Sequence, residues 1–164
     1  MPRKKAAGKA HKKLRKNQNF FHIFSIALAV SLLLDRAVKH VLLRNFFLGT
    51  SFPLLSGFLY FTFVGNSGAA FSIFPGMDAL LICTSTLLLF LEVFLSWKNP
   101  SDLKLSIFSG LVAGGIASNI YDRIFYGFVI DFIDFRVWPV FNIADIFITI
   151  GAAGIAIILL RRKN

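Results

Sequence analysis

Apolar residues run through this chain in four long blocks, with polar residues gathered between them. Crossing about 30 Å of hydrocarbon takes about 20 helical residues at about 1.5 Å each. Blocks of that length lie at about 20–43, 79–97, 103–121 and 141–160. The third contains "SGLVAGGIASN", whose small side chains allow helices to approach closely in lipid. Between the first two blocks, the aromatic and β-branched run from Phe58 to Val64 favours a strand, and Gly65-Asn66-Ser67-Gly68 favours a turn. The pattern predicts a membrane all-α bundle of four transmembrane helices with a small extracytoplasmic β-structured region. It divides the chain into a basic arm over 1–19 and a four-span domain over 20–164.

Composition supports the membrane reading: 56% of the residues are hydrophobic, 16% are charged and the mean hydropathy is +0.70. The formal net charge of +10 is segregated, because eight of the eighteen Lys and Arg fall in the first sixteen residues. That distribution does not suit a nucleic-acid-binding face, and no nucleic-acid partner is expected. The arm is expected to be disordered and attracted to anionic lipid, at about 1 kcal/mol per basic residue near the surface. Lys98, Lys104 and "RRKN" carry basic charge on the same side as the arm, so the positive-inside rule places both termini in the cytoplasm. A basic start before "FFHIFSIALAV" also suggests a secretory signal, but the apolar run continues to Leu34 and is read as a retained span. The single Cys83 excludes a disulfide framework and is expected to be a small residue inside a packed helix.

Ionisable groups are costly in a membrane and tend to mark function, and here they collect at one end of the spans. Asp35 and Lys39 are four apart near the outer end of the first block. Asn119 and Asp122 close the third, and Asn142 and Asp145 repeat the N-x-x-D spacing at the start of the fourth. Several of these have plain structural uses. Asp35 and Lys39 suit an intrahelical ion pair. Asn142 suits an N-cap, with Asp145 at the third helical position beside the positive end of the helix dipole. Asp122 at a helix C-terminus needs a cationic partner, and the adjacent Arg123 is the expected one.

The scattered His11, His22 and His40 do not make a metal set, and neither a metal nor another cofactor is expected. Carboxylates remain, and two held close share a proton, so that one acts as base on a water while the other polarises a carbonyl. Spacing leaves the pair open. Asp131 and Asp145 would be about 21 Å apart on one helix and can meet only if "FIDFRVWPVFNIA" folds back. Two rival readings use the same residues. A proton-coupled transporter would continue the polar residues through the bilayer, where only Glu92 lies deep, and an assembly scaffold would need no carboxylate pair.

Five blocks in order resemble the lipoprotein signal peptidase family, also called signal peptidase II: "DRAVK", "NSGAAF", "SNIYDR", "VIDF" and "FNIAD", spread over about residues 20–160. The resemblance implies an intramembrane aspartyl endopeptidase whose catalytic pair falls on Asp131 and Asp145. Asp35, Lys39, Asn66, Gly68, Asn119, Asp122, Arg123 and Asn142 fall on its supporting and substrate-binding positions. It further implies a protein of the bacterial inner membrane with its site at the outer, periplasmic face; contact with membrane lipid and a monomeric state are expected. Its substrates would be diacylglyceryl-modified prolipoproteins, cut just before the lipidated cysteine, and small residues of "NSGAAF" would let the peptide approach the backbone. This chain carries Arg36 where the family commonly has Gln and Ser118 where it commonly has Gly, and its segment between the two aspartates is short. Asp134 has no role in the resemblance and is expected to be a loop or interface residue. Within the pair, Asp145 is expected to ionise more readily, and Asp131, between Ile130 and Phe132, to hold the shared proton.

Overall fold

A computed structural model describes residues 2–68, 78–98 and 103–163. The helices are α1 (Pro2–Asn45), α2 (Asp78–Lys98), α3 (Leu103–Tyr126) and α4 (Ile143–Lys163). The strands β1 (Ser51–Leu55), β2 (Leu59–Asn66) and β3 (Val129–Asp134) form an antiparallel sheet in the order β1-β2-β3. Among the described residues, three helical stretches are long and apolar enough to cross a membrane: Asn17–Asn45, Leu103–Tyr126 and Ile143–Arg162. In α2 the apolar stretch is shorter, Ala79–Leu95. The predicted class, a bundle of four helices with a small sheet, is the observed one, with three of the four helices long and apolar enough to span.

α3 is the hub, packed against each of the other helices. Its small residues make this possible. A methyl group at Gly110 would lie 2.5 Å from the carbonyl oxygen of Phe24, and one at Gly115 would lie 2.6 Å from that of Ala144. The backbones of α1 and α4 therefore occupy the space that side chains would need.

Where the helix bundle meets the sheet, Leu42 of α1 packs with Phe61 and Phe63 of β2 and Ile130 and Phe132 of β3. Strand alternation does the rest: with Ile130 and Phe132 turned to this core, Asp131 faces the other side of β3. A register shift between Phe61 and Val64 pairs Val64 with Asp131, a local irregularity of the kind that re-aims side chains beside functional sites.

Four expectations need correction. The arm is helical from Pro2 and continuous with the first span, in keeping with its Ala-, Lys- and Arg-rich sequence. The hairpin turn falls at residues 56–58, with Gly57 at φ 80°. Gly65 and Asn66 finish β2 instead, because they pair with Ile130 and Val129 of β3. Cys83 is exposed on α2, not enclosed. Finally, α3 continues to Tyr126, so Asp122 lies a turn inside the helix.

Candidate active site

Asp131 and Asp145 reach the same cavity from different elements. Asp131 enters from the middle of β3 and Asp145 from the first turn of α4. The fold-back that joins them is a turn closed by pairing: Ile133 and Phe141 exchange backbone hydrogen bonds of 2.8 and 3.0 Å. The cavity, about 280 Å³, is lined by both carboxylates together with Asn66, Asn119 and Arg123. Trp138 to Phe141 form one wall, and Ile148 and Thr149 of α4 form the floor.

Asn142 connects the two aspartates. Its Nδ2 donates to Asp131 Oδ1 at 2.7 Å and its backbone N–H donates to Asp145 Oδ2 at 3.2 Å. Its Oδ1 accepts from the Asp145 N–H at 2.9 Å. This is a reciprocal capping box at the start of α4, so the cap expected from the N-x-x-D spacing is present. The same Asn142 amide also orients the carboxylate of Asp131, so capping and site-building are one arrangement. Asn119 Nδ2 donates to Asp145 Oδ1 at 2.9 Å, and Asn66 Nδ2 donates to Asp131 Oδ2 at 3.0 Å. Each carboxylate is thereby fixed by two donors and still faces the cavity. Burial pushes the Asp131 carboxyl up from 3.8 to about 7, and the neighbouring Asp145 charge pushes the same way against the Asn66 and Asn142 bonds and Lys39.

A charged layer lies behind this pair. Lys39 is fully buried and places its ammonium 2.7 Å from Asp35 Oδ2 and 2.6 Å from Asp122 Oδ2, and it donates to Asn119 Oδ1 at 3.2 Å. Its three protons have three acceptors. Asp35 Oδ1 accepts from the Ala144 N–H of α4 at 2.9 Å, one of the donors a helix start leaves unpaired, and Asp35 Oδ2 accepts from Ser118 Oγ at 2.6 Å. Asp122 Oδ2 accepts from the Ile130 N–H at 3.1 Å, tying β3 to α3.

The expected Asp122–Arg123 clamp does not form. Neighbours on a helix point in different directions; Asp122 pairs with Arg36 and Lys39, while Arg123 Nη2 donates to the Gly68 carbonyl at 3.1 Å. Arg36 lies over the Tyr121 ring, 4.4 Å from its centroid. Arg36 and Ser118, two of the departures expected from the family resemblance, are thus direct partners of Asp122 and Asp35. The Asp35–Lys39 ion pair forms as expected. Gly68 is buried and its N–H donates to Asn66 Oδ1 at 3.0 Å, whereas the rest of the small-residue block, 69–71, lies outside the described residues. Asp134 is buried at the end of β3 and does not line the cavity. Glu92 lines a separate cavity near Arg162. Sequence reasoning missed Arg36 as a partner and the Trp138–Phe141 wall. Arg36 had a signal in its place one residue after Asp35 at the polar end of the first span, where a cation needs a carboxylate partner; the wall had none beyond the aromatic content of its loop.

Comparison with known proteins gives the family and the fold. The family model described as Signal peptidase (SPase) II matches residues 26–161. A lipoprotein signal peptidase of Syntrophomonas wolfei is 41% identical over 128 residues, covering 78% of this chain and 86% of that protein. One of Halothermothrix orenii is 34% identical over 139 residues, covering 85% and 96%. A solved bacterial membrane enzyme structure at 2.3 Å resolution superposes with a TM-score of 0.79 at 29% identity, covering 85% of this chain and 88% of that one. With a family match across most of its length, relatives of this identity and the same bundle in a solved membrane enzyme, the chain belongs to the signal peptidase II family of membrane peptidases.

Proposed function

We propose that this chain is an intramembrane aspartyl endopeptidase that removes signal peptides from diacylglyceryl-modified prolipoproteins, cutting just before the lipidated cysteine. The observation that carries the reading is the convergence of Asp131 and Asp145 on one cavity with Asn142 bonded to both. Asp145 is the base and Asp131 holds the proton, a division supported by the upward push on Asp131. Asp145 takes a proton from a water as the water oxygen attacks the scissile carbonyl carbon. Asp131 gives its proton to the carbonyl oxygen, and a neutral tetrahedral diol forms. On collapse the C–N bond breaks and the proton on Asp145 passes to the leaving nitrogen of the lipidated cysteine. Asp131 recovers a proton from the diol hydroxyl, and the pair is ready again.

The substrate's acyl chains stay in lipid, which turns a search in three dimensions into local orientation at the bilayer edge. Asn66, Asn119 and Asn142 hold the carboxylates, while Asp35, Lys39 and Asp122 hold the elements that carry them. Both termini lie in the cytoplasm and the cavity opens at the outer face of the inner membrane, in keeping with the basic charge at the opposite end. The enzyme works as a monomer and uses no metal or cofactor.

The test is cleavage of a synthetic diacylated lipobox peptide by the purified protein in lipid or detergent. The unmodified chain should cut before the cysteine, while Asp131→Asn and Asp145→Asn should each lose at least about a thousandfold while remaining inserted and folded. Cleavage retained by either variant would remove the aspartyl mechanism. No cleavage by the unmodified chain would remove the substrate assignment.

A further inference from the structure

The turn between the two aspartates is held by side chains that the proposed hydrolysis does not use. Arg136 is the one non-glycine residue with positive φ among the described residues, at 63°, a conformation that L side chains adopt only when their surroundings hold them there. Its N–H donates to Asp134 Oδ1 at 2.7 Å, and its Nε lies 3.5 Å from Asp134 Oδ2. Its guanidinium carbon stands 3.8 Å over the Tyr60 ring, and Nη2 donates to Ser51 Oγ at 3.1 Å. Thr62 Oγ1 donates to Asp134 Oδ2 at 2.7 Å and lies 2.9 Å from Ser51 Oγ. Because the Thr62 proton is used on Asp134, the Ser51 hydroxyl donates to Thr62. Three bonds therefore run in one direction, Arg136 to Ser51 to Thr62 to Asp134, and the ring closes because the Arg136 N–H also donates to Asp134. Aligned chains of this kind reinforce each bond.

This ring links all three strands to the turn. Burial alone would raise the Asp134 carboxyl, but the Thr62 and Arg136 hydrogen bonds and the Arg136 charge outweigh it and hold it below the usual carboxylate range, so the ring survives mild acid. The Arg136 side chain is 49% exposed, and an ion pair so exposed contributes little to global stability. It does restrict a short turn, and two residues beyond it begins the cavity wall, Trp138 to Phe141.

We propose that Asp134 and Arg136 are positioning residues: by pinning the turn to the sheet they set the Trp138–Phe141 wall against which the substrate segment flanking the scissile bond lies. The substrate half of this statement rests on the peptidase reading above; the pinning of the wall does not.

Two measurements test it, one independent of activity. The chain has two tryptophans, Trp97 and Trp138, so in a Trp97→Phe background the fluorescence reports on the wall alone. Arg136→Ala and Asp134→Asn should each lower Trp138 anisotropy and increase its quenching by acrylamide, with the unfolding temperature nearly unchanged. With the diacylated lipobox peptide, KM should rise about fivefold, equivalent to about 1 kcal/mol, while kcat stays within about twofold. Arg136→Lys keeps the charge but lacks the planar fork, and should restore neither signal. Unchanged anisotropy and quenching in both variants would overturn the proposal. So would an unchanged KM with kcat reduced in step with the folded fraction, the signature of a merely structural role. Failure of the unmodified chain to cleave would instead strike the peptidase reading, and the Trp138 measurement would still decide the pinning.

Discussion

Asp131 has two pressures upon it, burial and the Asp145 charge, and its proton affinity has consequences for both activity and stability. Activity that needs one proton on the pair should fall along an alkaline limb near pH 7, as the proton on Asp131 is lost; the apparent value belongs to the pair. A rate constant that stays flat from pH 6 to beyond 9 would remove the assigned roles. The sign for stability follows from the same shift. Between 3.8 and about 7 the folded chain holds a proton that the unfolded chain releases, so stability falls as pH rises through that window. Asp131→Asn removes the Asp131 share of this dependence, so the variant should gain on the parent between pH 4 and 8 by up to about 4 kcal/mol, read from unfolding at each pH. Lys39 is the opposite case, a buried charge with two buried carboxylate partners. Lys39→Met should cost about 3–5 kcal/mol, because it leaves those carboxylates short of charge. The double variant with Asp35→Asn should recover part of that loss, and thermal unfolding of the four proteins of the cycle measures it.

Among the elements, α3 has the most constrained surface, because its glycines meet backbone atoms of α1 and α4, which cannot swing aside, as well as side chains such as Ser31 and Ile148. Gly110→Leu would drive a side chain into the carbonyl of Phe24 and should destabilise the bundle by at least about 1–3 kcal/mol. Ala152→Leu on the exposed side of α4 should stay within about 0.5 kcal/mol. Equal effects would show that the close approach of α3 is not what holds the bundle. The sheet is an element of another kind. Its inner residues Phe61, Phe63, Ile130 and Phe132 pack on the end of α1, and that packing aims Asp131 at the cavity. Strand character from Phe58 to Val64 was legible from residue type alone, whereas β3 hides in an apolar run whose strand state depends on pairing with β2.

At the scale of the whole molecule, α1 is about 66 Å long at 1.5 Å per residue, more than twice a hydrocarbon core, so a basic helical segment continues beyond the first span. All the polar groups of the site collect at the opposite end of that span, beside the sheet. The orientation proposed here has a direct test. A phosphatase reporter that works only outside the cytoplasm should be active when inserted after Gly57 in the β1–β2 turn and inactive when fused after Asn164. The reverse pattern would turn the site toward the cytoplasm and exclude it from exported lipoproteins.

Residue order by itself determined the apolar blocks, the segregation of basic charge, the Asp35–Lys39 pair and the Asn142 cap, because each depends on hydropathy over one helix length or on neighbours three or four apart. It left open which carboxylates pair, since Asp131 and Asp145 lie fourteen residues apart and only the family resemblance singled them out. Only tertiary structure decided that Asp122 pairs with Arg36 and Lys39 in preference to Arg123, that Gly65 and Asn66 extend a strand, and that Asn142 serves both aspartates. Those outcomes turn on contacts between segments tens of residues apart, which α3 brings together by letting two other helices approach its backbone; no local pattern records which of several charged partners such packing will bring within reach.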